Sequence, residues 1–194
     1  MSEVALMARV GQPTRVELDT EAIRAYAAAA RATDPAYRGE RPVVPPTFLP
    51  AGGAGERRET DHRFFGVPPR AGDRLTAVAT GADGSLTRYF DRTGGLVAES
   101  WASPDLVAGE PAPPDADPAA LLATYATGWL GAENIRRFRT RLAGPRTAGG
   151  ALVCSGYVTQ RYVQDGEPRV DVTLTAVDAD GAVVVRAWAS FARP

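Results

Sequence analysis

The sequence predicts an α+β fold in which a helix lies across an antiparallel sheet, with that unit written twice. Three observations carry this. DRTGGLVAESWAS at 91–103 returns as DADGAVVVRAWAS at 178–190, with Asp91, Gly94, Val97, Trp101 and Ser103 matching Asp178, Gly181, Val184, Trp188 and Ser190. The echo extends upstream from VPPRAGDRLTAVATG (67–81) to AGPRTAGGALVCSGY (143–157), so a sheet unit of about ninety residues is duplicated. Each copy of the sheet also follows one helical segment. Two Gly-turn strands that look alike by chance are the alternative.

In each copy Asp and Gly supply the side-chain hydrogen bond and the positive φ of a tight hairpin, and the β-branched and aromatic residues that follow suit a strand. Duplication predicts a pseudo-two-fold axis with Trp101 and Trp188 in equivalent places. In chain order, TRVE at 14–17 has a strand-like alternation, and a helix starts at Asp19 or Thr20, which can cap it, with Glu21 in the first turn. Ile23, Tyr26, Ala27 and Ala30 share one face of that helix. RGERPVVPPTFLP (38–50) is too proline-rich for a helix or a central strand, and AGGAGERRET (51–60) reads as loop. Strands are expected near 61–67, 73–80, 85–91 and 95–102.

A proline-rich linker at 104–118 divides an N-terminal unit (1–103) from a C-terminal one (119–194). DPAALLATYATGWLG (117–131) reads as a helix with Asp117 and Pro118 at its start, Gly131 at its stop, and an apolar face of Leu121, Leu122, Tyr125 and Leu130. Four strands close the chain, near 134–142, 150–163, 168–178 and 182–192.

Composition removes several reaction classes. All 22 basic residues are arginine, so no lysine is present for a Schiff base, a pyridoxal cofactor or a Walker-type phosphate loop. One histidine, His62, and one cysteine, Cys154, leave no intrachain disulfide and no usual first shell for a metal or redox cofactor, so none is expected. A packing role for Cys154 is expected over a nucleophilic one. A net charge of −1 gives no general attraction for nucleic acid or an anionic membrane. MSEVALMARVG lacks the basic start and apolar core of a signal peptide, and no apolar run reaches the ~20 residues that span a bilayer. A cytoplasmic protein is the expectation.

The chain carries Asp34-Pro35-Ala36-Tyr37 at the first helix's end, Pro45-Pro46-Thr47-Phe48 after it, and Pro68-Pro69-Arg70-Ala71-Gly72-Asp73-Arg74-Leu75 further on. Together these resemble the MaoC-like enoyl-thioester hydratases and fatty-acid-synthase-type dehydratases, and LLATYATGWLG, RRFRTRLAGP and AVDADGAVVVRAW resemble the helix and meander of the same family's C-terminal unit. The resemblance covers most of the chain. It implies a double hot-dog fold with the second repeat truncated, because the strand, first helix and catalytic loop that should precede the helix at 117 have no counterpart. Cystatin-like and lipocalin-like barrels explain the repeat less well.

The resemblance also implies syn addition or removal of water across the 2,3-bond of an enoyl thioester carried by coenzyme A or an acyl carrier protein. The family uses an Asp and a His a few residues apart at the helix end. Aligned through Pro35 those positions hold Ala32 and Tyr37, so the usual pair is absent. Asp34 and Tyr37 are the replacements at that turn, one as a base and one as a hydrogen-bond donor, although Asp before Pro is also an ordinary helix-ending turn. His62, which titrates near neutrality when unperturbed, is a third candidate, against the default of an exposed or edge-strand histidine. The expected cavity is bounded by Asp34, Tyr37 and the 45–48 segment, with Pro46, Thr47 and Phe48 as substrate-binding residues.

NIRRFRTRL (134–142), read as a strand, puts Arg137, Arg139 and Arg141 on one face and Arg136, Phe138, Thr140 and Leu142 on the other. Arg137 and Arg139 could hold the phosphates of coenzyme A or of a carrier's phosphopantetheine; the alternative is a solvated face paired with local acids. Three functions stay open. They are an enzyme with a non-standard acid/base set, a supporting subunit for a hot-dog partner that carries the Asp/His pair, and a hot-dog enzyme using the cavity for another addition or cyclisation. Sheet edges suggest a homodimer or a hetero-oligomer with another hot-dog subunit, unless the two halves satisfy each other.

Overall fold

The computed structural model describes residues 11–51, 58–80, 85–105, 117–143 and 151–193. In chain order these form β1 (Thr14–Glu17), α1 (Thr20–Ala29), β2 (Glu59–Phe64), β3 (Arg74–Thr80), β4 (Leu86–Phe90), β5 (Leu96–Ala102), α2 (Pro118–Leu130), β6 (Ile135–Leu142), β7 (Val153–Gln164), β8 (Glu167–Val177) and β9 (Val183–Ala192). Short 3₁₀ turns lie at Pro35–Tyr37 and Ala132–Asn134. The expected helices and strands are all present, most with their ends moved by a residue or two and β2 and β7 by up to three. The Pro46–Phe48 stretch is a turn, and the segment touches the sheet through the isolated bridge Val43–Arg70.

All strand pairings are antiparallel, in one nine-stranded sheet of order β1-β3-β4-β5-β2-β6-β9-β8-β7. The repeat is visible in that order: outward from the β2–β6 junction, β5, β4 and β3 on one side answer β9, β8 and β7 on the other. Register makes the symmetry residue-specific. Trp101 lies opposite Asp61, Asp61 opposite Arg139, and Arg139 opposite Trp188, so one row crosses the junction with a tryptophan equally placed on each side. Trp101 is half-buried and Trp188 is 42% exposed. The turns repeat in the same detail. Asp91 N donates to the Gly95 carbonyl at 2.9 Å and Asp178 N to the Ala182 carbonyl at 3.0 Å, while Gly94 and Gly181 sit at φ of +83° and +80°. β1, by contrast, covers only the β3 edge.

The helices start as their caps direct. Asp19 accepts from the Ala22 amide at 2.7 Å and Asp117 from the Ala119 amide at 2.9 Å. The buried face of α2 is not the one with the largest side chains: Ala120, Leu122, Ala123 and Ala126 are fully buried, whereas Tyr125 is 40% exposed. Small residues let this helix lie close on β6, β7, β8 and β9. The core runs through both halves, joining Phe64, Leu75, Tyr89 and Ala98 to Phe138, Leu174, Val185 and Phe191 in one cluster. Each of the buried phenylalanines and leucines contributes about 2 kcal/mol by leaving water. No helix among the described residues is long and apolar enough to cross a membrane.

Candidate functional site

The site is built where α1 ends. Ala32 N donates to the Ala27 carbonyl at 2.9 Å and Arg31 N to the Ala28 carbonyl at 3.0 Å, the paired bonds of a Schellman motif. Its left-handed residue is Arg31, at φ +57°. Glycine is the usual occupant, and a side chain with a Cβ costs about 1 kcal/mol there. The turn then grips α2. The Asp34 carboxylate accepts from the amides of Ala36 and Ala132, both at 2.8 Å. The Tyr37 hydroxyl donates to Thr127 Oγ1 at 3.0 Å, and Thr124 Oγ1 donates to the Ala30 carbonyl. Thr33 lies so close to Gly128 that a Cβ at that position would fall 2.5 Å from its hydroxyl.

This turn is the ridge between two grooves. One, of about 530 Å³, is lined by Arg24, Ala28, Arg31, Ala32, Thr33, Tyr37 and Arg38. The other, of about 680 Å³, is lined by Arg31, Thr33, Leu121, Thr124, Tyr125, Trp129, Leu152, Val153 and Cys154. The first is basic and the second mostly apolar. Arg24 and Arg38 are partly occupied, donating to Glu21, to the Gly39 carbonyl and to the Ala32 carbonyl. Arg31 is exposed, and its guanidinium has neither a hydrogen bond nor an ion pair to another described residue. Cys154 is half-buried against the core, and burial pushes its thiol up.

The candidate residues named from sequence fall in four separate places. Asp34 and Tyr37 are together at the α1 turn, each committed to α2 or its end. Burial pushes the Tyr37 phenol well above its usual range, which keeps it protonated as the donor to Thr127. His62 is on the buried face of a central strand, 3% exposed, which corrects the default of an exposed or edge-strand histidine. Its Nδ1 lies 3.0 Å from Ser100 Oγ, and no hydrogen bond joins it to Asp34 or Tyr37. Burial pushes its imidazole down to about 4, with Asp61 offsetting part of that fall. Pro46 is buried, Thr47 Oγ1 is bonded to the Tyr26 hydroxyl at 2.9 Å, and Phe48 packs edge-on against the Tyr26 ring.

Arg137 and Arg139 lie on the opposite face of the sheet from α2. Arg137 is held by Asp61 at 2.5 and 2.9 Å, and Arg139 pairs with Glu59 while its guanidinium sits 6.0 Å from the Trp188 ring. Each thus has a local carboxylate partner. Arg31 and Trp129, which line the grooves at the α1 turn, were not among the candidates named from sequence, and Tyr125 was placed there only on the apolar face of α2. Nothing in the sequence singled out Arg31, because only about a third to a half of helices end in a left-handed residue and that residue is usually glycine.

No family model matches the chain, and neither does any curated protein sequence. Solved structures do. A MaoC-like dehydratase superposes with a TM-score of 0.69 at 15% identity, covering 96% of this chain and 99% of that one. A MaoC-like dehydratase from Phytophthora capsici gives 0.64 at 13%, covering 96% of each chain. A protein of Mycobacterium tuberculosis described as having a double hot-dog fold gives 0.61 at 12%, covering 95% of this chain and 96% of its own. The near-complete coverage in both directions, together with the paired half-sheets around β2–β6, identifies the architecture: the chain is a double hot-dog protein, folded as the MaoC-like dehydratases are.

Proposed function

We propose that the chain binds an enoyl or 3-hydroxyacyl thioester, carried on coenzyme A or an acyl carrier protein, across the Arg31–Thr33 turn. The proposal extends to turnover: the acid/base pair for hydration or dehydration is supplied by a second hot-dog subunit. One observation carries the binding half. A cation without a partner among the described residues is held at a left-handed position that glycine would occupy at lower cost, at the meeting point of a basic and an apolar groove. Such a site suits a ligand that is anionic at one end and apolar at the other. The carrier's phosphate lies toward Arg24, Arg31 and Arg38, the acyl chain lies along Tyr125 and Trp129, and the thioester rests near Thr33.

The dependence on a partner rests on what stands where the family keeps its pair. Ala32 has no ionisable group, and the Tyr37 hydroxyl is spent on Thr127. Titration calorimetry with crotonyl-CoA and a longer enoyl-CoA tests the binding. Arg31→Gly should weaken it by about 10- to 100-fold, the value of one charge-assisted bond to phosphate, while raising the urea midpoint by relieving the left-handed arginine. Unchanged affinity in that variant would remove the site. Loss of the enoyl absorbance tests turnover. If the purified chain alone hydrates crotonyl-CoA, and Tyr37→Phe or Asp34→Asn lowers that rate by ~100-fold, the chemistry belongs to those residues and not to a partner.

A further inference from the structure

The sheet is duplicated in backbone but not in charge. On the face opposite α2, Glu99 and Arg186 hold the same place in the repeat, two residues before Trp101 and Trp188. Arg63 and Arg141 correspond in the same way, two residues past Asp61 and Arg139. In the first half Arg63 lies opposite Glu99 and Glu99 opposite Arg88, so one carboxylate sits between two guanidiniums, at 3.6 and 3.7 Å. In the second half Arg141 lies opposite Arg186 and Arg186 opposite Thr175. Where one copy has an ion pair, the other has two like charges side by side, which destabilises a sheet unless an anion joins them.

No described carboxylate does so. Arg141 and Arg186 are both exposed, and neither guanidinium has a hydrogen bond or an ion pair to another described residue. Glu59, opposite Arg141 on β2, is held by Arg139 at 2.6 Å. Their neighbours on this face, Arg63, Arg88, Arg137 and Arg139, each have a carboxylate partner. Beside the pair runs a groove of about 400 Å³, within the range of small-molecule sites, lined in part by Arg139, Arg141, Trp188 and Ser190. Glu59 and Asp171 line it too, but Asp171 already accepts from Ser190 at 2.7 Å and from the Tyr162 hydroxyl at 3.0 Å. Trp188 is 42% exposed there, whereas Trp101 in the first half is half-buried.

We propose that Arg141 and Arg186 bind the carboxylate of a small amphipathic acid whose apolar body rests on Trp188. The ligand brings from outside the carboxylate that Glu99 supplies from within the chain in the first half. The guanidinium fork matches a carboxylate through two parallel bonds, and the first half shows a carboxylate held at this point of the row. The exposed indole at the next position of β9 on the same face selects an apolar or aromatic body over a bare anion. The inference does not rest on the thioester reading.

An NMR titration of the full chain with 3-phenylpropanoate tests it. Saturable shifts are expected at the amides around Arg141, Arg186 and Trp188, with a Kd of about 1 mM, the scale for so small a ligand. Inorganic phosphate, an oxyanion without the apolar body, should bind at least about 10-fold more weakly. Arg186→Glu gives the second half the ion pair of the first. It should weaken phenylpropanoate binding by about 10- to 100-fold while raising the urea midpoint, so that lost binding is not lost folding. Shifts confined to other residues overturn the proposal, as does the absence of any shift at about 10 mM ligand. So do phosphate binding as tight as that of the acid, an affinity that Arg186→Glu leaves unchanged, or a urea midpoint that this variant does not raise.

Discussion

In the second half of the chain a helix lies directly on the strands that follow it, and its alanine face fills the space above β6, β9, β8 and β7. In the first half the helix does something else. α1 packs through Ile23 with Leu18, Val44 and Leu49, and its end reaches across to α2 through Asp34, Tyr37 and the Ala30 carbonyl. The strands are duplicated, but the helices are not equivalent. A strand needs only alternation and a turn, so a copied strand finds a copied place. A helix above the sheet needs volume to fill, and α2, well packed on four strands, already fills much of it. The first-half helix can therefore end in a left-handed arginine and a polar turn that a core-filling helix could not accommodate.

If Asp34 is the tie between the halves, its removal should have the largest effect. Asp34→Ala loses two amide bonds to a carboxylate, one capping the 3₁₀ turn and one reaching Ala132. We expect a loss of about 2–3 kcal/mol by urea unfolding. Reading Asp34 only as a base would leave the melting temperature nearly unchanged, so an unaltered urea midpoint would break the comparison between a tying turn and a filling helix.

The next effect concerns the junction strand. His62 is neutral and buried in the fold, with its pKa near 4, and in the unfolded chain it titrates near 6.5. Its folded pKa is the lower one, so below pH 6.5 the unfolded chain binds a proton that the fold refuses. Its contribution to stability is present above 6.5 and is lost as pH falls toward 4. Between pH 7.5 and pH 5 the loss from this residue is about 2 kcal/mol. His62→Gln should flatten that part of the pH–stability curve. An unchanged slope would mean that the imidazole is reached by water.

Much of this was legible in the chain. The Asp–x–x–Gly hairpins, the Trp–Ala–Ser echo and the capping aspartates are local signals, and they placed the strands, the helices and the symmetry axis. The site was legible only in outline. Asp34 and Tyr37 were placed on the right turn, but that their polar atoms would be taken up by Ala132 and Thr127 depends on partners 98 and 90 residues away. No periodicity encodes such a pairing. His62 shows the same limit: alternation shows which residues share its face, but not that β2 would be central in the sheet. For the arginines of β6 alternation did separate the faces, and the cross-strand register of Asp61 and Glu59 supplied their partners.

A smaller effect separates the tying role of Tyr37 from a chemical one. Tyr37→Phe removes a single buried hydrogen bond, leaving Thr127 Oγ1 still able to donate to the Ala123 carbonyl at 3.1 Å. A loss of about 1 kcal/mol is expected, and in a double-mutant cycle with Thr127→Val most of it should vanish. A full loss that persists when Thr127→Val is already in place would assign the hydroxyl a different partner.

The finest test asks whether the two copies are equal in energy as well as in shape. Gly94 and Gly181 hold the same left-handed position, at +83° and +80°, and each amide donates at 3.1 Å to the carbonyl of its own aspartate, Asp91 or Asp178. A Cβ built on either would meet no atom within 4 Å, so the cost of Gly→Ala is conformational in both and free of any clash. Each substitution should therefore cost about 1 kcal/mol. The two losses should agree to within about 0.5 kcal/mol, and the double variant should lose their sum, since distant sites add. A hairpin that tolerates alanine while its copy does not would show that identical turns carry unequal strain, and that the halves are alike in backbone but not in what each contributes to folding.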